Sequence, residues 1–279
     1  MKNGLVSKIL SGGLAAAMVF SVFSPSVFAD QDLYDVLRGN QPSIEALERV
    51  LKEHAYIDFI DYNSYGVRRS PLLFALKHSH PFAILEWLLN YERTIWRGPN
   101  RAEYRACVLN HTVNINNSEF LRFLFDEKLI NEDDVNRMYD LGYTSFQWAA
   151  YLGWLEGVQL LYKNGASVDL RSMYVSTPVY LAARNGHAGV VRFLVEECNA
   201  DFNIASKNGH TAVSIAAGFG QLEVVKWFIE SGHVTLDYRD GKGRSLLEVA
   251  KKQEWGVTPE RSEKTAAVAA YLESIGAVE

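Results

Sequence analysis

The sequence has 279 residues, of which 48% are hydrophobic, 22% charged and 12% aromatic. This composition is typical of a globular protein and excludes collagen-like, low-complexity and disordered chains. The 28 basic and 33 acidic residues give a net charge of −5, which does not favour a nucleic-acid partner, because binding to phosphates requires a basic surface. We therefore expect a folded protein that does not bind nucleic acid.

Residues 1–29 have the features of a secretory signal peptide. Lys2 and Lys8 precede a short apolar segment, Pro25 interrupts it, and Ala29 ends a stretch that is compatible with cleavage. The apolar segment is about half of the roughly 20 residues that a membrane anchor requires. We therefore predict cleavage after Ala29, export to the bacterial periplasm or beyond the cell, and no stable membrane anchor afterwards.

The remaining chain contains two cysteines, Cys107 and Cys198, and neither belongs to a Cys-x-x-Cys pair. A chain stapled by disulfides would contain many more cysteines for its length. We therefore expect both thiols to stay unpaired and the fold to depend on packed apolar side chains.

Three kinds of residue recur every 33 or 34 positions in the C-terminal half of the chain. A hydroxyl residue can cap a helix, a small residue allows close packing, and a glycine can end the helix in the left-handed conformation. A second apolar run at helical spacing follows each glycine. These columns are Thr144, Thr177, Thr211 and Ser245; Ala150, Ala183 and Ala217; and Gly153, Gly186 and Gly220.

This pattern resembles the ankyrin repeat. Residues 177–187 read Thr-Pro-Val-Tyr-Leu-Ala-Ala-Arg-Asn-Gly-His, which is similar to the family pattern Thr-Pro-Leu-His-x-Ala-Ala-x-x-Gly-His. The histidine at the fourth position of that pattern is replaced by Gln147, Tyr180, Ser214 and Glu248. The resemblance implies a weaker hydrogen-bond network between neighbouring repeats, with the apolar stacking positions still filled.

The resemblance implies an all-α ankyrin-repeat solenoid of about six helix-turn-helix units with divergent caps at both ends. After the signal peptide we expect an N-terminal helical cap at 30–61, a divergent unit at 62–100 and a degenerate unit at 101–136. Three clearer repeats follow at 137–169, 170–203 and 204–237, and a C-terminal capping repeat covers 238–279.

The sequence contains no motif that points to catalysis, a metal site or a cofactor. His78 and His80 are two residues apart and do not face each other on a helix, and the acidic residues 132–134 lack the spacing of a calcium loop. We therefore predict a protein that is not an enzyme and uses no cofactor or metal. One alternative is a hydrolytic enzyme whose site lies in residues 55–136.

Variable positions that point away from the core of such a solenoid form its concave face and loop tips, where a partner can bind. These positions are rich in basic and aromatic residues, and Asp140 is the only acid among them. We predict that they bind another protein with an acidic surface. The candidate residues are Arg69, Lys77, Tyr143, Tyr151, Met173, Tyr174, Arg184, Lys207, His210, Phe219, Lys242 and Arg244.

The predicted function is therefore that of a non-catalytic binding scaffold, expected to be a monomer, that supports or protects a periplasmic partner protein. An immunity protein that neutralises a toxin delivered to the periplasm is the alternative within the same class. The neighbouring gene would distinguish these roles, because an adjacent effector gene favours immunity and an adjacent gene for a secreted enzyme favours support.

Overall fold

The computed structural model describes residues 35–39, 43–53, 71–78, 80–95, 101–139, 142–252 and 258–278. Within these ranges the regular elements are helices, joined by loops that contain two isolated bridges. In chain order the helices are α1 (Ile44–Glu53), α2 (Pro71–Lys77), α3 (Phe82–Ile95), α4 (Arg101–Asn114), α5 (Ser118–Asp126), α6 (Glu132–Val135), α7 (Ser145–Leu152), α8 (Leu155–Lys163), α9 (Pro178–Arg184), α10 (Ala188–Arg192), α11 (Ala212–Gly218), α12 (Leu222–Glu230), α13 (Leu246–Lys252) and α14 (Pro259–Ser274).

The helices form two stacked layers. Helices α2, α4, α7, α9, α11 and α13 pack in that order in one layer, and α3, α5, α8, α10, α12 and α14 pack in the same order in the other. The two helices of each unit also pack on each other. The all-α solenoid expected from the sequence is therefore confirmed for the described residues, with a core that runs along the whole stack.

The repeated hydroxyl residues begin the first-layer helices as predicted. The side-chain oxygen of Thr144 accepts a hydrogen bond from the backbone N–H of Gln147 at 3.2 Å, and Ser245 accepts one from Glu248 at 3.1 Å. These bonds satisfy N–H groups that have no partner inside the helix. The paired alanines that follow, Ala149–Ala150 in the first of these units, are fully buried where neighbouring helices meet.

The expectation of a weaker polar network between repeats is wrong at one interface. Gln147 is fully buried, and its side-chain amide donates to the carbonyl of Leu170 at 2.7 Å and to that of Ser176 at 3.1 Å. Both acceptors belong to the next unit, so the glutamine links the two repeats. A longer amide side chain at this position therefore bridges to the neighbour without the histidine of the family pattern.

One second-layer helix contains an extra residue. Helix α10 continues as a π-helical turn at Phe193–Glu197, and a π turn is the usual result of inserting one residue into an α-helix. A left-handed residue lies before and after each of the second-layer helices α8, α10 and α12. The spacing between these two residues is one residue longer around α10 (Gly186 and Asn199) than around α8 (Gly153 and Gly165) or α12 (Gly220 and Gly232). The π turn thus absorbs the length difference inside one helix.

The loops before α7, α9, α11 and α13 share one closing hydrogen bond, and we call them finger loops (139–143, of which residues 139, 142 and 143 are described, 172–176, 206–210 and 240–244). In each, the backbone N–H of the first residue donates to the carbonyl of the last, over 2.8–3.0 Å. The fourth position is left-handed in all of them, and glycine occupies it as Gly142, Gly209 and Gly243. In the second finger loop this position is Val175, with φ 58°.

Replacing Val175 by glycine is expected to raise the free energy of unfolding by about 1 kcal/mol. A left-handed backbone costs a β-branched residue on the order of 1–2 kcal/mol, part of which is offset by the greater freedom of glycine in the unfolded chain. Urea denaturation would measure the change. Asn199→Gly is the matched control, because asparagine tolerates its φ of 54° and should gain less. Destabilisation by Val175→Gly would contradict the strain argument.

Both cysteines are buried and neither forms a disulfide, as the sequence predicted. Burial, together with the neighbouring charge of Glu197, raises the pKa of Cys198 to about 12. The predicted signal peptide lies outside the described residues, and the predicted unit boundaries stay predictions. Over the ranges that the structure describes, no helix is both long enough and apolar enough to cross a membrane.

Candidate protein-binding surface

Four aromatic side chains from neighbouring units form a continuous line, which we call the aromatic row (Tyr174, Tyr143, Trp148 and Tyr151). The ring centroids of Tyr174 and Tyr143 are 6.1 Å apart, and those of Tyr143 and Trp148 are 6.2 Å apart. Trp148 and Tyr151 stack with a centroid distance of 4.8 Å and an interplanar angle of 9°. Aromatic surfaces of this kind are enriched at protein interfaces.

The repeat scaffold fixes the position of this row. Trp148 and Tyr151 are three residues apart on α7 and therefore share one helix face. The indole N–H of Trp148 donates to the Asn114 side chain at 3.2 Å, which ties it to the preceding unit. The carbonyl of Tyr151 accepts bonds from the side chains of Asn185 at 2.7 Å and His187 at 2.9 Å in the next unit.

The second finger loop carries the most exposed end of the surface. Met173 is 73% and Tyr174 57% exposed, which is unusual for large hydrophobic side chains. The loop is nevertheless held in place, because the Ser172 hydroxyl accepts from the N–H groups of Tyr174 and Ser176 at 3.2 Å each. The N–H of Met173 also donates to the carbonyl of Gly142 at 3.3 Å. The apolar tip is thus preorganised.

Beside the aromatic row lies a second cluster, the arginine–phenylalanine stack (Arg184, Phe219 and Arg261). The Cζ atoms of Arg184 and Arg261 lie 4.8 Å and 4.6 Å from the centroid of the Phe219 ring. Both distances are within the range of a cation–π interaction. The carbonyl of Arg184 accepts from the Gln221 side chain at 2.9 Å, so the next unit fixes the backbone below this guanidinium.

The positive charge of Arg184 affects the pKa of two tyrosines, Tyr143 and Tyr180. Burial raises the pKa of Tyr143, and the neighbouring phenols of Tyr174 and Tyr151 raise it further, while the positive charge of Arg184 acts in the opposite direction. Burial likewise raises the pKa of Tyr180, again against the charge of Arg184. Both phenols therefore remain protonated at neutral pH and keep their hydrogen-bond donors beside a positive charge.

Two predicted binding residues, His210 and Arg244, are interior residues. They are 1% and 8% exposed, so the prediction that they face a partner is wrong. Arg244 donates through Nε and Nη2 to the Asp240 carboxylate at 2.9 and 2.5 Å, and its Nη2 lies 3.1 Å from Nδ1 of His210. The last residue of a finger loop therefore points toward the neighbouring loop, where these groups form a buried polar network.

Asp240 makes the stability of this network dependent on pH. Burial alone would raise its pKa, but hydrogen bonds from the Arg244 side chain and from the backbone N–H groups of Arg244 and Lys242, with the charge of Arg244, lower it overall. The ionised carboxylate therefore stabilises the folded protein above the unfolded-state pKa of about 3.9, and this contribution is lost as the pH falls through the folded-state pKa.

We therefore expect the stability difference between the wild type and Asp240→Asn to shrink as the pH falls below about 4. The asparagine cannot ionise, so it lacks the contribution that protonation removes from the wild type. Urea unfolding at a series of pH values would measure the difference. A stability difference between the two proteins that stays constant down to about pH 2 would contradict the lowered pKa of Asp240.

The remaining candidate residues have different environments. Lys207 and Lys242 are exposed on the third and fourth finger loops, and Phe219 and Tyr151 are half-buried. Arg69 and the side chain of Lys77 lie outside the described residues. The sequence-based selection missed Trp148, although its spacing from Tyr151 on one helix was a usable signal, and it missed Arg261, because α14 does not follow the repeat pattern.

Histidines in the alternative hydrolase region have structural neighbours. His78 packs on Phe74 with a centroid distance of 4.3 Å. Burial lowers the pKa of His80, with a smaller effect of His78 in the same direction. Among the residues that the structure describes, no group of three or more His, Cys, Asp or Glu side chains is arranged to hold a metal ion.

Comparison with known proteins gives the same family as the repeat pattern. Two family models match, "Ankyrin repeats (3 copies)" over residues 173–240 and "Ankyrin repeats (many copies)" over residues 146–195. The probable 26S proteasome regulatory subunit p28 of Saccharomyces cerevisiae is 26% identical over 140 residues, which cover 50% of this chain and 60% of that protein.

Two larger proteins are similar over shorter regions. The human transient receptor potential cation channel subfamily A member 1 is 29% identical over 98 residues, covering 35% of this chain and 9% of the channel. Mouse Rabankyrin-5 is 28% identical over 109 residues, covering 39% of this chain and 9% of that protein. The chain thus matches only part of each relative, and the family models identify ankyrin repeats in residues 146–240.

Proposed function

We propose that this protein is a non-catalytic binding scaffold that holds another protein on the aromatic row, the arginine–phenylalanine stack and the finger-loop tips. Ankyrin repeats serve as scaffolds for protein–protein interaction, and their loops and first-layer helices supply the contact surface. The location proposed from the predicted N-terminal signal peptide is the bacterial periplasm, and a monomer is the proposed state. The role proposed there is to support or protect the partner.

The observation that carries this proposal is the concentration of exposed aromatic and apolar side chains on preorganised loops. Met173 and Tyr174 remain in solvent, although burying a side chain of this size stabilises a protein by about 1.5–3 kcal/mol. Tyr174 belongs to the aromatic row, and Lys207 is exposed on the next finger loop. A partner that covers these side chains gains their burial at a low cost in loop ordering.

Affinity capture from an extract of the source cell envelope would test the proposal. The bait is the full chain, in parallel with the double variant Tyr174→Ala, Lys207→Glu and with Arg192→Glu as a control on the exposed part of α10. We expect one or more proteins to be retained by the wild type and the control and lost with the double variant. Equal retention by all three baits would place binding elsewhere on the chain.

With the captured partner, the aromatic and basic residues are expected to affect different rate constants. Tyr174→Ala should mainly accelerate dissociation, at a cost of about 1–3 kcal/mol in affinity, because it removes an apolar anchor. Lys207→Glu combined with Lys242→Glu should mainly slow association and weaken its salt dependence. Stopped-flow kinetics would separate the two effects, and unchanged rates for all variants would contradict the proposed surface.

The acidic character proposed for the partner rests on the basic groups around the surface. Arg184 and Arg261 flank Phe219, and Lys207 and Lys242 extend from the neighbouring loops. A charged surface of this sign accelerates encounter with an acidic protein. An immunity protein would use the same surface to neutralise a toxin, and the identity of the captured partner would distinguish that role from support of a periplasmic enzyme.

A further inference from the structure

We propose that Asn208 in the third finger loop is a site of spontaneous covalent modification, in which its side-chain amide is converted into a carboxylate. The reaction is available to an asparagine that precedes a glycine, because the glycine nitrogen can attack the asparagine side chain without hindrance from a side chain of its own. Three such pairs lie in the described part of the chain, at Asn164–Gly165, Asn185–Gly186 and Asn208–Gly209. The structure distinguishes the third pair from the other two.

The side chains of the first two asparagines are held by hydrogen bonds. The Nδ2 amide of Asn164 donates to the carbonyl of Leu160 at 2.8 Å, and that of Asn185 donates to the carbonyl of Tyr151 at 2.7 Å. Both asparagines are half-buried. The amide has to leave its acceptor before its carbonyl carbon can turn toward the next backbone nitrogen, so these bonds protect both residues.

Asn208 lacks this protection. The residue is exposed, and its side chain forms no hydrogen bond to the residues that the structure describes. The N–H of Gly209 donates to the carbonyl of Ser206 at 2.8 Å, so the attack requires that this one bond in the loop opens. Exposed loops open locally far more often than the packed helices beside them.

The third finger loop is also held less firmly than its neighbours. In the second loop the Ser172 hydroxyl accepts from two backbone N–H groups, and in the fourth loop the Asp240 carboxylate does the same. The Ser206 hydroxyl, at the corresponding position of the third loop, forms no such bond. A loop with fewer internal bonds opens at a lower cost in free energy. The local opening that the reaction requires is therefore favoured at Asn208.

Water is the one co-reactant that the chemistry requires. The Gly209 nitrogen loses its proton and forms a bond to the side-chain carbonyl carbon of Asn208, and the side-chain amide leaves as ammonia. Water then opens the resulting five-membered succinimide ring at either of its carbonyls, which gives aspartate or isoaspartate. No oxidation or reduction takes place, and the sum of the two steps exchanges a neutral amide for a carboxylate.

The new carboxylate would form among basic side chains. Lys207 precedes Asn208 and is exposed. Lys242 of the fourth loop lies over Gly209, since a Cβ atom at Gly209 would be 2.6 Å from Cγ of Lys242. The modification therefore adds a negative charge between two lysines of the finger-loop tips. Its effect on binding rests on the proposed function, whereas the modification itself does not.

Peptide mapping of the full chain by mass spectrometry would test the proposal. The folded protein is incubated in mildly alkaline buffer made with heavy-oxygen water, and the three pairs are followed together. We expect conversion of Asn208 to be at least about tenfold faster than that of Asn164 or Asn185, with heavy oxygen incorporated. Aspartate and isoaspartate should both appear, and a higher pH should accelerate the reaction, because the attacking nitrogen must lose its proton.

The same chain unfolded in urea is the matched control. Each of the three asparagines precedes a glycine and loses its folded environment there, so the three rates should become similar. Asn208→Gln is the control variant, because a glutamine would have to close a larger ring. It should abolish the fast conversion at this position and leave the rates at Asn164 and Asn185 unchanged, and thermal melting would establish that it is folded.

The outcomes separate this proposal from the proposed function. Conversion of Asn208 in the folded chain that is no faster than that of the other two asparagines would overturn the proposal, and aspartate without isoaspartate would overturn the succinimide route. Asn208→Asp should slow association with the protein captured by affinity severalfold. An unchanged association rate would contradict the steering role of Lys207 and Lys242 and leave the modification in place.

Discussion

Replacing Asp240 by alanine is expected to lower the free energy of unfolding by about 3–5 kcal/mol, the usual cost of removing one partner from a buried ion pair. The Asp240 side chain is fully buried and that of Arg244 is 10% exposed, so the remaining guanidinium would stay in the interior without its counter-charge. The substitution also removes the acceptor for the N–H groups of Lys242 and Arg244 that shape the fourth finger loop. Urea denaturation followed by circular dichroism would measure the loss.

Two comparisons isolate the buried charge as the cause. Glu273→Gln breaks the half-exposed Lys251–Glu273 pair, whose atoms are 2.9 Å apart, and should cost less than about 1 kcal/mol. Adding Arg244→Met to Asp240→Ala should recover part of the stability, because no unpaired charge then remains inside. A loss under 1 kcal/mol for Asp240→Ala alone would contradict the role assigned to this network.

Replacing Gly220 by alanine is expected to destabilise the protein by about 3 kcal/mol. Gly220 has a φ of 73°, which costs any other residue on the order of 1–2 kcal/mol. A Cβ atom would also lie 2.4 Å from Cβ of Lys264 and 2.6 Å from its carbonyl carbon. Because this neighbour includes the backbone of α14, the helix would have to move, and such overpacking typically costs a further 1–3 kcal/mol.

Gly232→Ala provides the matched control for Gly220→Ala. Gly232 has a φ of 75°, and nothing lies within 4 Å of the position that its Cβ would occupy. Gly232→Ala should therefore lower the free energy of unfolding by about 1 kcal/mol, the cost of the left-handed backbone alone. Chemical denaturation would measure both losses, and limited proteolysis should cut α14 earlier in Gly220→Ala. Equal losses for the two alanine variants would show that α14 does not pack as described.

The regular part of the fold could be predicted from the sequence because its residues repeat a local chemical role. Thr144, Thr177 and Thr211 each cap a helix, and glycines at one spacing end the helices. These roles depend on neighbours three or four residues away, so the period alone reveals them. The point at which the first helix of each unit ends and the second begins could be predicted for the same reason.

The direction of side chains in the finger loops could not be read from the same pattern. The repeat column that holds Tyr143 also holds His210 and Arg244, yet Tyr143 joins the surface while the other two are buried. The difference comes from Asp240, which supplies a buried carboxylate for Arg244 in the last loop only. Arg261 was missed because its contact with Phe219 depends on how α14 closes the stack.

The π turn at Phe193–Glu197 has a consequence for how such chains diverge in evolution. A one-residue insertion would normally rotate every later residue of a helix by about 100° and turn its apolar face away from the neighbours. Here the five-residue π-helical turn accommodates the extra residue, and Leu194 and Val195 remain buried. Second-layer helices can therefore tolerate a codon insertion without shifting the register of the following units, so repeats of different length coexist in one gene.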